Sequence, residues 1–279
     1  MSFAVVTDST ADISPQIAAE RGIHVVPLSL TIDGETMPDG TLTQVEFFER
    51  MNNAPQLPTT SQPSVGAFTE TYERLLESAE QIVSVHISSK LSGTVESARQ
   101  AAASFGGRVH VFDSKNLSWG LALQVVEATR MAAAGLSPAA ALEGLERVRE
   151  RCKLIVGIDS LDNLARGGRI GRVGKLFGSL LDLKVTFTVD EDGAFTPVAR
   201  SRGEKAALRH TLDWVAEQMG EHTKAKFAVG FALRPERAEA LAAQLRERFD
   251  ALELTVYEAG TVICTHTGTG WGVALLPED

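Results

Sequence analysis

Three short apolar runs, each ending in Ser, Thr or Asp and each followed by a helical pattern, constrain this chain more than any other feature. They are Phe3–Thr7, leading into Asp8-Ser9-Thr10-Ala11-Asp12; Gln81–Ile87, leading into Ser88-Ser89-Lys90-Leu91-Ser92-Gly93-Thr94; and Arg108–Phe112, leading into Asp113-Ser114. Strands alternating with helices predict a mostly parallel sheet covered on both faces, because parallel neighbours need long crossovers. The helices announce themselves locally. Ser14-Pro15 reads as an N-cap with Pro at the first helical position, and Gly22 closes that helix. Thr43-Gln-Val-Glu46 is a capping-box pattern, and Ser137-Pro138 caps a helix to about Arg151. Between them lie a helix over 65–79 and a strongly apolar one over 119–134, stopped by Gly135. The segment 23–32 reads as one strand, with a turn at Asp33-Gly34.

The second half changes character. A strand over 153–159 precedes Asp162–Arg166 and the turn Gly167-Gly168-Arg169-Ile170-Gly171. Segments 183–189 and 194–199 flank Asp-Glu-Asp-Gly as a hairpin, and helix, strand, helix and strand follow to about Tyr257. The predicted fold class is α/β: an N-terminal, mostly parallel sheet with helices on both faces, plus a C-terminal α+β domain with a mixed or antiparallel sheet. The expected boundary divides residues 1–150 from 151–279.

Composition narrows the function classes. The 279 residues are 44% hydrophobic and 23% charged, the balance of a globular chain. No apolar run approaches the roughly 20 residues of a membrane span, and no signal-like segment opens the chain, so the expected location is cytoplasmic without membrane insertion. Two cysteines, Cys152 and Cys264, make no disulfide framework, and six scattered histidines offer no spaced metal set. A net charge of −9 argues against non-specific nucleic-acid binding. That charge is uneven. Between Arg166 and Arg209 nine basic residues meet five acidic ones, a local +4 that reads as a docking patch or as a solvated face with ion pairs.

Among candidate sites, Ser88–Ser97 comes first. A strand ending in hydroxyls and Gly, then opening a helix, gathers free N–H groups and the positive end of a helix dipole, which favours an anion; a plain N-cap is the competing reading. Ser88 and Ser89 read as structural. Nucleotide signatures fail on spacing: Gly168 to Gly174-Lys175 is one residue too long for a phosphate loop, and Leu176 stands where Ser or Thr holds magnesium. A serine esterase or thioesterase using Ser92 and His266 stays open as the alternative, although Ser92 sits outside a Gly-x-Ser-x-Gly elbow. His266, in what reads as a polar loop Thr265-His266-Thr267-Gly268, is the histidine placed to reach a cleft.

Thr7–Asp12, Thr60-Ser61-Gln62-Pro63-Ser64, Ile87–Thr94, Gly167-Gly168-Arg169-Ile170 and His266-Thr267-Gly268, in that order along nearly the whole chain, resemble the DegV family of bacterial fatty-acid-binding proteins. The resemblance implies a lipid-binding protein, not an enzyme, with one long-chain fatty acid such as palmitate enclosed between two domains and no other cofactor. It also implies a separate ATP-dependent fatty-acid kinase that phosphorylates the bound carboxylate to an acyl phosphate. Carried over by motif, the carboxylate meets Thr60, Ser61, Ser92, Gly93 and His266, while Arg169, Arg200 and Arg202 face the kinase. Thr269 and Val185 depart from the family pattern, where Pro is usual at both places.

Physical chemistry gives the same ligand class a rationale. A buried carboxylate needs converging hydroxyl and N–H donors, and His266, if protonated, would give the stronger, charge-assisted bond. The tail gains roughly 0.8 kcal/mol per buried CH₂, so a chain of about 14–18 carbons gains on the order of 10 kcal/mol before association costs.

Overall fold

The computed structural model describes residues 3–176 and 183–278. In chain order the elements are β1 (Ala4–Asp8), α1 (Pro15–Arg21), β2 (Ile23–Val26), β3 (Ser29–Ile32), β4 (Glu35–Pro38), α2 (Gln44–Asn53), β5 (Thr59–Ser61), α3 (Val65–Leu75), β6 (Ile82–His86), α4 (Thr94–Ala102), β7 (Val109–Asp113), α5 (Ser118–Ala133) and α6 (Pro138–Arg151). There follow β8 (Lys153–Ile158), α7 (Asp162–Arg166), β9 (Leu183–Val189), β10 (Phe195–Arg202), α8 (Glu204–Met219), β11 (Lys224–Ala232), α9 (Pro235–Arg248), β12 (Asp250–Glu258), α10 (Thr261–Thr267) and β13 (Gly270–Glu278). In the basic span, the Lys175 side chain and Asp182 lie outside the described residues.

The fold is α/β. Four parallel strands run in the order β2-β1-β6-β7, and a mixed sheet runs β10-β9-β8-β13-β11-β12. Side-chain alternation sorts the core into layers. On the parallel sheet, Val6 and Ile82 face α3 and α4, while Val5 and Val83 face α5. On the mixed sheet, Leu154, Ala228 and Ala274 face α5, while Ile155, Phe227 and Val273 face α8 and α9. Helix α5 is thus the shared middle layer. It is buried from Ser118 through Val126 without a break, as a helix enclosed on all sides must be.

Local signals hold up well. Ser14 and Ser137 cap α1 and α6 with Pro following, Gly22 takes φ +64° at the end of α1, and Thr43 and Glu46 form the reciprocal capping box of α2. The long-range features differ from expectation. The single strand 23–32 is two strands in two sheets, because Pro27, which cannot donate to a ladder, stands between them. β2 pairs with β1, whereas β3 turns away to join β4 and β5 in a small antiparallel sheet. β13, unassigned in the sequence pattern, lies inside the mixed sheet between β8 and β11. Among the described residues no helix is long and apolar enough to cross a membrane.

Candidate functional site

A cavity of about 330 Å³ opens where β1 and β6 end at their carboxyl termini. Thr10 follows β1, and Ile87, Leu91 and Ser92 follow β6; β5 adds Thr60 to Gln62, and α10 adds Val262, Ile263 and His266. Volume and lining are those of a small-molecule site, with aliphatic walls and a few converging polar groups, and among the described residues no Asp or Glu lines it.

Asp8 builds the floor. Its Oδ1 accepts from Thr10 N at 3.1 Å and Thr10 Oγ1 at 2.5 Å, and its Oδ2 accepts from Ile87 N at 3.0 Å and His86 Nδ1 at 2.9 Å. With Nδ1 donating, His86 Nε2 accepts from Ser84 Oγ at 2.7 Å, which in turn pairs with Tyr72 at 2.9 Å. Asp8, His86 and Ser84 have the connectivity of a hydrolase triad, yet all three are 0% exposed. They tie two cavity-lining loops together.

His266 sits in the last turn of α10, not in a loop. Two carboxylates cap that short helix: Asp39 accepts from Thr261 Oγ1 at 2.7 Å and Val262 N at 3.2 Å, and Asp12 accepts from Gly260 N at 3.0 Å. His266 Nε2 lies 2.8 Å from Thr60 Oγ1, and its Nδ1 is buried without a partner among the described residues. Burial, helped by the nearby Arg169 charge, pushes its pKa down to about 4. His266 is therefore neutral at pH 7. A neutral ring with Nε2–H directed at Thr60 frees the Thr60 hydroxyl to donate into the cavity.

The structure brings Thr60, Ser61, Ser92, His266 and Arg169 to this one cavity. Ser92 Oγ lies 2.8 Å from Thr94 Oγ1 and accepts from Thr94 N at 3.3 Å. With Ser92 turned to Thr94 and His266 turned to Thr60, no oriented nucleophile–base–acid relay links Ser92 to His266 among the described residues. Gly93 lies outside the lining. A Cβ there would come within 2.2 Å of Gln62 Oε1, so Gly93 makes room for the amide that donates to Ser97 Oγ at 2.9 Å. Ser88 and Ser89 are structural as expected, through Ser88 Oγ donating to Gly193 O and Ser89 N to Asp113. Arg169 donates to Gly167 O at 2.7 Å at the cavity edge, whereas Arg202 borders an open groove of about 590 Å³ between α8 and α9 and Arg200 lies on β10. Sequence reasoning missed Thr10 and Gln62, and the aliphatic wall of Leu28, Leu117 and Ile263, whose side chains look like any other core residue until the strands are placed.

Burial raises the Asp12 pKa to about 8, with Asp39 and Asp8 adding like-charge repulsion against the hydrogen bonds from Ser118 and Gly260. The folded chain therefore holds a proton that the unfolded chain releases near pH 4, and stability is expected to fall as pH rises from about 4 to 8. Asp12→Asn, which keeps an acceptor for Gly260 N and turns an amide donor toward Ser118 Oγ without a charge, flattens that fall. Denaturant midpoints at pH 5 and pH 8 measure it, and an unchanged slope in the variant assigns the effect elsewhere.

Among the described residues no cluster of three or more His, Cys, Asp or Glu is placed to hold a metal. A family model described as an uncharacterised protein of the DegV family matches residues 2–278. A DegV domain-containing protein, YejH, from Lactococcus lactis is 36% identical over 281 residues, covering 99% of each chain. A fatty-acid-binding DegV family protein from Thermus thermophilus superposes with a TM-score of 0.95 at 34% identity over 100% of both chains. DegV from Bacillus subtilis, a fatty-acid-binding protein, does so with 0.89 at 30% identity, again over 100% of both. Fold, motif order and these relatives agree, and the chain belongs to the DegV family.

Proposed function

We propose that this protein binds one long-chain fatty acid and presents its carboxylate to a separate ATP-dependent fatty-acid kinase for acyl-phosphate formation. The observation that carries the reading is an aliphatic cavity whose polar end is the neutral Thr60–His266 pair, with Arg169 beside it and no acidic residue among the described residues of its wall. A narrow apolar slot continues from it, sharing Leu117, Ile263 and Thr267, between α5 and the mixed sheet. It offers a path for the tail between the two proposed domains, divided near residue 150. The carboxylate accepts from Thr60, Ser61 and Ser92, with a backbone N–H near Gly93 as a further donor. Arg202 and Arg200 remain candidates for the kinase-facing surface, and a reduced, cytoplasmic setting suits the buried thiols Cys152 and Cys264.

The tail supplies most of the affinity and the head group fixes orientation. Thr60→Val is therefore expected to weaken palmitate binding only about tenfold, the worth of one charge-assisted hydrogen bond. Native mass spectrometry of protein purified from cells is expected to show a bound C14–C18 acid. Protein that carries no acyl chain and binds no added palmitate ends this reading.

A further inference from the structure

The slot between α5 and the mixed sheet is mainly apolar, yet Ser118, Tyr257, Thr267 and Trp271 bring polar side-chain atoms to it. Two of these have settled partners. Thr267 Oγ1 donates to Ile263 O at 3.0 Å, and Trp271 Nε1 donates to Thr211 Oγ1 at 2.9 Å. Ser118 and Tyr257 differ. Ser118 Oγ lies 2.7 Å from Tyr257 OH and 2.6 Å from Asp12 Oδ2, and the Trp119 backbone N–H also donates to the Tyr257 oxygen. The Tyr257 ring is fixed by the Trp119 ring, 5.2 Å away between centroids. Gly230, opposite it in register on β11, clears the space for its hydroxyl, since a Cβ there would come within 2.5 Å of that oxygen. With the Asp12 carboxyl protonated at pH 7, the O–H groups of Asp12, Ser118 and Tyr257 share two contacts. Each contact consumes one proton, so one hydroxyl proton is left over on Ser118 or Tyr257, both of which line the slot. If Asp12 ionises, both hydroxyl protons are used and the spare capacity is a lone pair instead.

We infer that the Ser118–Tyr257 pair receives an oxygen carried part-way along the acyl chain, so that the protein takes hydroxy fatty acids alongside plain ones. The inference rests on the fatty-acid reading above, with the slot as the path of the tail, and adds a ligand class set by the middle of the chain. A hydroxyl both donates and accepts, so it fits the pair in either state of Asp12. Left without a partner in an apolar slot, the same hydroxyl would weaken binding roughly tenfold to a hundredfold. Seated on Ser118 and Tyr257 it escapes that loss.

Delipidated full-length protein is titrated with stearate, 10-hydroxystearate and 12-hydroxystearate, two placements of the oxygen near mid-chain. At least one hydroxy acid is expected to bind within about threefold of stearate. Tyr257→Phe is expected to weaken that acid about tenfold while changing stearate less than about twofold. Ser118→Ala gives the same split and keeps the test open if Tyr257→Phe folds poorly. Hydroxy acids that both bind more than about threefold more weakly than stearate overturn the inference. So do variants that weaken stearate and the hydroxy acid alike, since the pair then serves the fold, and variants that change neither. An unsubstituted protein that binds none of the three acids instead defeats the fatty-acid reading itself.

Discussion

Asp8→Ala is expected to cost about 3–5 kcal/mol of folding stability, read as a lower denaturant midpoint with an unchanged slope. The reason is the four donors that converge on this carboxylate. Removing it leaves Ile87 N–H and His86 Nδ1–H without acceptors in a site closed to water, and frees the Thr10 hydroxyl from its anchor. His86 then has no group to fix its tautomer, and the hydroxyl chain through Ser84 to Tyr72 loses its direction. Because Thr10 and Ile87 both line the cavity, ligand affinity is expected to fall with stability, even though Asp8 touches no ligand. A loss below about 1 kcal/mol would mean that the network repacks freely, and that the end of β1 is held by something else.

Gly270→Ala is the second large effect, about 3 kcal/mol, and its cause is purely steric. A Cβ at Gly270 would lie 2.3 Å from the carbonyl oxygen of Gly157 and 3.3 Å from Ile158 Cα, all main chain of the neighbouring strand. No rotamer change relieves a clash with backbone. β13 is flanked by β8 and β11, so relief requires shifting the middle of the mixed sheet. Gly174→Ala is the matched control: its nearest contact is the flexible Ile170 side chain at 3.6 Å, and its expected change is within about 0.5 kcal/mol. Equal midpoints for the two variants would sink the argument from close strand approach.

The same contact explains why β13 escaped notice in the sequence. Gly270 and Gly272 break the apolar alternation that marks a strand, and the main chain that each of them approaches, at Gly157 and Ile155, belongs to β8. Features set within a few residues were legible: the Thr43–Glu46 capping box, the two Ser-Pro helix starts, the hairpin of β9 and β10. Thr60, Ser61, Ser92, His266 and Arg169, named through the resemblance to the DegV family, come together at one cavity. What failed was set by distant partners. Thr-Val-Ile-Cys-Thr-His-Thr has weak helix propensity, yet it forms α10 under the cap supplied by Asp12 and Asp39 from far along the chain. The charge state of His266 was equally hidden, since it depends on burial that only the packed chain creates.

Helix α5 sets a limit on how a ligand enters. Swinging the two large sheets apart would uncover Leu121, Val125 and their neighbours at once, at about 1.5–3 kcal/mol for each large side chain. Such a gape exposes much of the buried surface of α5 at once. Traffic in and out of the cavity must therefore pass through small displacements of its rim, where Leu91, Arg169 and α10 meet, and the rate of exchange is a property of those segments and not of a hinge between halves.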